Sequence, residues 1–315
     1  MREGPPKDRE SVKSPARPGT GVPAGIVPAP SSRAMPDPNR SDRVLPIARV
    51  LFGALALVVF PFFWGLTVHP ENTAENFAWP LAPRMSALLF GTLYMAVVYS
   101  FLRVAIDKRW HEARLIFVTT LPVLVALGLV SWAHWDKFTD DPKRLAVWIT
   151  AYMVFPPFLL WMIWAHRGRD SRQLEPGDVF VPVGVRRFSL VIGILFGVVG
   201  LLLLLAPDTM AGVWPWAIKP LSSRAIGALL IAPLCAQVTI LSEERWSALK
   251  LPIESGILWF GGVLVSIVRC WDEFDRSRPM TWAFVAAVAI EWLLVVWMYV
   301  AFELRRARGA AVSAR

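Results

Sequence analysis

The chain has 315 residues, of which 55% are hydrophobic and only 18% charged, with 16 tryptophans and a formal net charge of +9. A soluble domain carries about a quarter charged residues, so this composition excludes a single water-soluble globular domain. Two cysteines are too few for a disulfide framework, and no CxxC, HExxH or phosphate-cradling glycine motif points to a metal or a nucleotide.

Residues 1–44 are rich in Pro, Ser, Gly and Arg and have no apolar period, so they are expected to form a disordered tail. The apolar run from Leu45 is too long for a signal-peptide core and lacks a small-residue cleavage site, so it reads as a signal anchor, with Met35 ahead of it as a candidate start. Eight apolar stretches follow, at 46–66, 85–105, 115–135, 145–165, 188–206, 225–242, 253–269 and 281–302. Each approaches the about 20 residues that cross a bilayer. In hydrocarbon such a segment satisfies its own backbone as a helix. The fold class is therefore all-α, a polytopic membrane helical bundle of eight transmembrane helices.

Lys and Arg divide unequally between the two sides of this bundle: the side holding both tails has 24 of the 33. The positive-inside rule then expects cytoplasmic N and C termini, in the plasma (inner) membrane. The same bias accounts for most of the net charge, so nucleic acid is not an expected partner.

The second half of the chain rewrites the first. RWHEARL (109–115) precedes WDKF (135–138), and RWSALKL (245–251) precedes WDEF (271–274), every matched residue 136 positions later. PLAPR (80–84) and PLSSR (220–224), like Gly53 and Gly193, match at 140, and Trp148 and Trp282 at 134. Five stations in one order predict a 4+4 internal duplication, with membrane repeat 1 over 45–169, a cytoplasmic linker over 170–186, membrane repeat 2 over 187–304 and a basic cytoplasmic tail over 305–315. Four is even, so both copies enter the membrane from the same side and the repeats are parallel.

The RW word is expected to be structural, with basic residues inside and Trp at the interface. On the outer side, Arg84 and Asp136 of one copy, and Arg224 and Asp272 of the other, are expected to form two equivalent ion pairs, closed over by Trp135 and Phe138, and by Trp271 and Phe274. Glu291 falls near the bilayer midplane, where a carboxylate costs at least about 2.5 kcal/mol and faces the bundle interior. Gln237 and Cys235 lie at similar depth, so with Tyr152 or Tyr94 they are expected to line a polar ligand pocket between the halves; the alternative is a Glu291 that serves packing alone. The four His (His69, His111, His134, His166) fall at helix ends and suggest no haem, and Cys235 and Cys270 differ in depth by about 15 Å, too far for a disulfide. No catalytic residue, metal ligand or cofactor is expected.

The resulting expectation is a membrane protein that binds or translocates a small apolar or amphiphilic molecule between two pseudo-symmetric halves. Its alternatives are a non-catalytic assembly subunit that meets a membrane protein partner through its lateral faces, and an enzyme acting on a lipid or isoprenoid. Apart from the lipid bilayer, that small ligand or that protein is the expected partner.

Overall fold

The computed structural model describes Met1 and residues 42–107, 109–170, 174 and 177–313, so almost all of the tail expected over 1–44, with Met35, lies outside the described residues. Asp42 to Leu45 are described, and Val44 is buried against the body of the protein. Among the described residues eight helices are long and apolar enough to cross a membrane. They are α1 (Pro46–Val68), α2 (Arg84–Ile106), α3 (Trp110–Ala133), α4 (Pro142–Ala165), α5 (Val183–Leu205), α6 (Pro220–Ile240), α7 (Trp246–Arg269) and α8 (Pro279–Ser313). The basic segment from 305 is helical, continuing α8 to Ser313.

The helix starts follow from local chemistry. Pro stands in the first turn of α1, α4 and α6, where its missing N–H breaks no helical bond. Asp141 caps α4, its Oδ1 accepting from the N–H groups of Lys143 and Arg144 at 2.9 and 3.0 Å. Inside the membrane the prolines behave differently. α6 and α7 run unbroken through Pro233 and Pro252. In α4, Thr150–Val154 form a π turn directly before Pro156 and Pro157, which cannot donate to the preceding turn.

Helices α2, α3, α6 and α7 make the centre: α2 packs on α7, α3 on α6, and α3 on α7. Each is flanked outside, α1 on α2, α4 on α3, α5 on α6 and α8 on α7. Of the eight, α2 is the most enclosed, and α1 and α8 are the most exposed, as lipid-facing helices must be. The contacts are close. Nearest to where a Cβ would stand on Gly227 of α6 and on Gly200 of α5 is the other's carbonyl oxygen, at 2.5 and 2.8 Å. At Gly262 of α7 a Cβ would lie 2.7 Å from Thr92 of α2.

Candidate functional site

At the end of the bundle carrying the two WDxF turns, the expected ion pairs within each half do not form. Arg84 reaches instead to the turn before α8: its Nη2 donates to Asp272 Oδ2 at 2.7 Å and its Nε to Glu273 Oε1 at 2.8 Å. Glu273 also accepts from the backbone N–H groups of Arg84 and Met85 at 3.1 and 2.8 Å, so an acid near the chain's end caps the first turn of α2. Asp136 pairs with its neighbour Lys137 at 2.6 Å. Arg224 donates to Nε2 of His134 and to the Leu204 carbonyl, not to Asp272. Burial and the adjacent Arg224 guanidinium both hold His134 below its ordinary pKa, as a neutral acceptor requires. The reason for the exchange lies in the packing: α2 borders α7 and α3 borders α6, which brings each of the two arginines to the opposite half's turn. Neither role is expected from the sequence: Glu273 stands inside the WDEF word as an unassigned residue, and His134 reads only as a helix-end histidine.

The aromatic residues of these turns do not close over the arginines. Trp135 stacks on Phe138 at 5.9 Å, and Trp271 on Phe274 at 5.4 Å. Phe138 then packs on Trp79, and Phe274 on Trp216, at 5.3 and 5.2 Å, inside the apolar core. Backbone bonds fix the turns to the same segments, Thr139 N–H to Ala78 O and Asp275 N–H to Pro215 O, both at 2.8 Å.

The opposite end, which carries the RW words, holds a buried ionic network. Arg245 grips Asp170 with two guanidinium nitrogens and Glu243 with two more contacts, all at 2.8 Å, and the three side chains are at most 8% exposed. Arg114 of α3 joins at 3.0 Å from Glu243. Burial works to raise the Glu243 carboxyl, but hydrogen bonds from Arg245 and the two arginine charges outweigh it and hold the pKa below the usual range. Nearby, Asp42 caps His111 N–H and Asp178 caps Ser247 N–H, each at 3.1 Å, and His111 Nε2 meets Ser247 Oγ at 3.1 Å. Trp110 stacks on His166 at 4.1 Å, and Trp246 on Phe302 at 5.0 Å. His166 is neutral by geometry: Nδ1 donates to Met162 O and Nε2 accepts from Leu45 N–H, while burial lowers its pKa.

Of the residues expected to meet at the midplane, Tyr152 belongs to a separate aromatic group in the first half. It lies in the π turn, 3.3 Å from the Tyr94 hydroxyl and 4.1 Å from the Trp148 ring. Gln237 lies against Gly193 of α5. Cys235 is partly buried, and both cysteines are free. Glu291 is buried, and its Oε2, like Gln237 Oε1, has no hydrogen-bond partner among the described residues.

A groove of about 460 Å³ opens on the side of the bundle, at the WDxF end, between α1, the following connection and α4. Its wall is apolar, built by Pro61, Phe62 and Trp64 of α1 and Val147 of α4. Its lip is polar and cationic, with His69, Asn76 and Lys143. Arg144, also at the lip, is held at 2.9 Å by the Ala74 carbonyl, which leaves Lys143 as the exposed cation. No family model, curated protein or solved structure matches the chain.

Proposed function

We propose that the protein is a non-catalytic membrane protein that binds an amphiphile with an anionic head in the groove between α1 and α4. The observation that carries this reading is the groove's polarity gradient, from an aromatic wall at membrane depth to a lysine, a histidine and an amide at the rim. Its volume of about 460 Å³ lies within the about 300–1,000 Å³ of small-molecule sites. An acyl or isoprenoid chain lies against Trp64 and Phe62, and a phosphate or carboxylate head meets Lys143, a cation at the interfacial depth where anionic heads sit.

The groove belongs to one half of what we infer to be a duplicated four-helix unit. Equivalent contacts recurring at a nearly constant shift support the duplication. Arg49 and Arg186, 137 apart, donate to the carbonyls of Ala105 and Leu241, 136 apart. Asp42 and Asp178, also 136 apart, cap α3 and α7. Phe138 bridges Trp79 and Trp148 as Phe274 bridges Trp216 and Phe284. At this shift Gly91 corresponds to Gly227, and both lie against the preceding helix. The matches of Arg84 to Arg224, Gly53 to Gly193 and Trp148 to Trp282 are then near-coincidences of spacing, the two arginines standing one helical turn apart on one face. The first half has His69, Asn76 and Lys143 where the second has Ala206, Val213 and Pro279, so the polar lip is particular to the first. The positive-inside bias puts the RW end in the cytoplasm and the groove in the outer leaflet.

Native mass spectrometry on protein released from nanodiscs tests the reading. Discs of phosphatidylglycerol should leave one retained lipid that discs of phosphatidylcholine do not. Gly65 faces open space, so Gly65→Leu fills the groove without disturbing the bundle. It should abolish retention, and Lys143→Gln should weaken it. Equal retention in both variants contradicts the groove as the site.

A further inference from the structure

The same correspondence of halves exposes a difference buried at membrane depth. In the first half Phe52 of α1, Phe101 of α2 and Phe155 of α4 meet, with ring centroids 4.9 Å apart for Phe52–Phe101, 6.0 Å for Phe52–Phe155 and 6.2 Å for Phe101–Phe155. The corresponding residues of the second half are Ser189 of α5, Gln237 of α6 and Glu291 of α8. A hydroxyl, an amide and a carboxyl therefore stand where three rings fill the other half. Their surroundings resemble those of the rings: one turn toward the RW end, Leu294 and Met298 of α8 join Val185 of α5, Ala236 and Ile240 of α6 and Ile253 of α7 in one apolar cluster.

Ser189 and Glu291 are only 7% and 9% exposed, and Gln237 Oε1 and Glu291 Oε2 are both unpartnered acceptors. Two bare oxygen acceptors facing hydrocarbon are unfavourable unless something positive lies between them. Glu254, the acid of α7 at comparable depth, is already tied to Arg103 and Tyr99 of α2. The remaining titratable group on α6 at this level is the Cys235 thiol, which offers no cation.

We propose that Ser189, Gln237 and Glu291 form a binding site for one monovalent cation, a proton or a sodium ion, within the membrane. Both occupants answer the same chemistry, the carboxylate, amide oxygen and hydroxyl that the correspondence of the halves brings together. A proton would sit on the Glu291 carboxyl and be donated to Gln237 Oε1; sodium would take all three side-chain oxygens. The site rests on the correspondence of the halves and is independent of the lateral groove.

Thermal unfolding of the full chain in phosphatidylcholine nanodiscs tests it, comparing wild type, Glu291→Gln, Gln237→Leu and the double variant. A sodium site predicts that sodium chloride raises the wild-type Tm above that in choline chloride of equal ionic strength, and that either substitution removes the increment. A proton site predicts no preference between the salts, but a Tm difference between wild type and Glu291→Gln that changes with pH. In both cases the double variant should behave as Glu291→Gln alone. Additive effects would mean that Gln237 and Glu291 do not meet, overturning the correspondence; a wild type indifferent to sodium, with a pH-independent difference from Glu291→Gln, would overturn the site itself. Should Glu291→Gln not fold, Gln237→Leu and Ser189→Ala carry the same readouts.

Discussion

Arg245 shows most clearly what a single residue does in this bundle. Its guanidinium satisfies two carboxylates that are almost wholly shielded from water, so the value of the cluster lies in its completeness. Arg245→Met should strip Glu243 and Asp170 of the guanidinium they share while both stay buried, and cost about 3–5 kcal/mol; denaturation in mild detergent measures it, and a loss below about 1 kcal/mol would show that water already reaches the cluster. His166 gives a pH prediction. Its folded pKa is lowered, so its contribution is complete above the unfolded value of about 6.5 and is lost as the pH falls through the folded value. His134 has the same sign. The contribution of these two residues should therefore fall as the pH drops below about 6.5. His166→Phe, which copies the Trp246–Phe302 stack of the other half, should flatten part of that dependence while losing about 1 kcal/mol for the bond from Leu45. An unchanged pH profile would contradict the neutral assignment.

At the scale of elements, the spans were legible because hydrocarbon leaves a single polypeptide segment few conformations. The expected 46–66 and 145–165 become Pro46–Val68 and Pro142–Ala165. The end of the last helix was not legible: hydrophobicity stops near 302, but good helix formers such as Leu304, Arg305 and Ala307 carry α8 on to Ser313. The π turn of α4 was only hinted at by Pro156 and Pro157, since a bulge depends on how the freed carbonyls are met by neighbours. Helix contact depends on small residues, and α5 and α6 meet through Gly200 and Gly227. Gly227→Ala would place a methyl 2.5 Å from the Gly200 carbonyl oxygen. It should destabilise the protein by about 1–3 kcal/mol despite the better helix propensity of Ala. Gly65→Ala, with open space around it, should be neutral or stabilising by up to about 1 kcal/mol. Equal effects of the two changes in parallel unfolding measurements would contradict this packing.

Over the whole molecule, the two halves of the chain exchange contacts. Leu115 of α3 is buried with Trp246 and Met298, and Leu251 of α7 with Phe52 and Trp110. Arg84 and Arg224 cross in the same manner at the other end. This exchange explains why the repeated words could be found in the sequence while their partners could not: spacing along a chain records which residues recur, but not whether an Arg such as Arg84 meets the turn of its own half or of the other. It also separates the groove from the midplane. Trp64 and Lys143 carried no repeated word and no unusual depth, and only the gap between α1 and α4 brings them together. Neither half expressed alone should remain folded in detergent, whereas the two halves co-expressed should purify as one complex; a stable single half would contradict the interlock.

The most direct measurement is photo-crosslinking in nanodiscs with a phosphatidylglycerol that carries a diazirine on its acyl chain, followed by peptide mapping. Binding in the groove predicts adducts concentrated on residues 60–68 of α1 and 143–150 of α4, lost in Gly65→Leu. Labelling spread evenly over the lipid-facing helices, α5 and α8 included, and unchanged by that substitution, would contradict it.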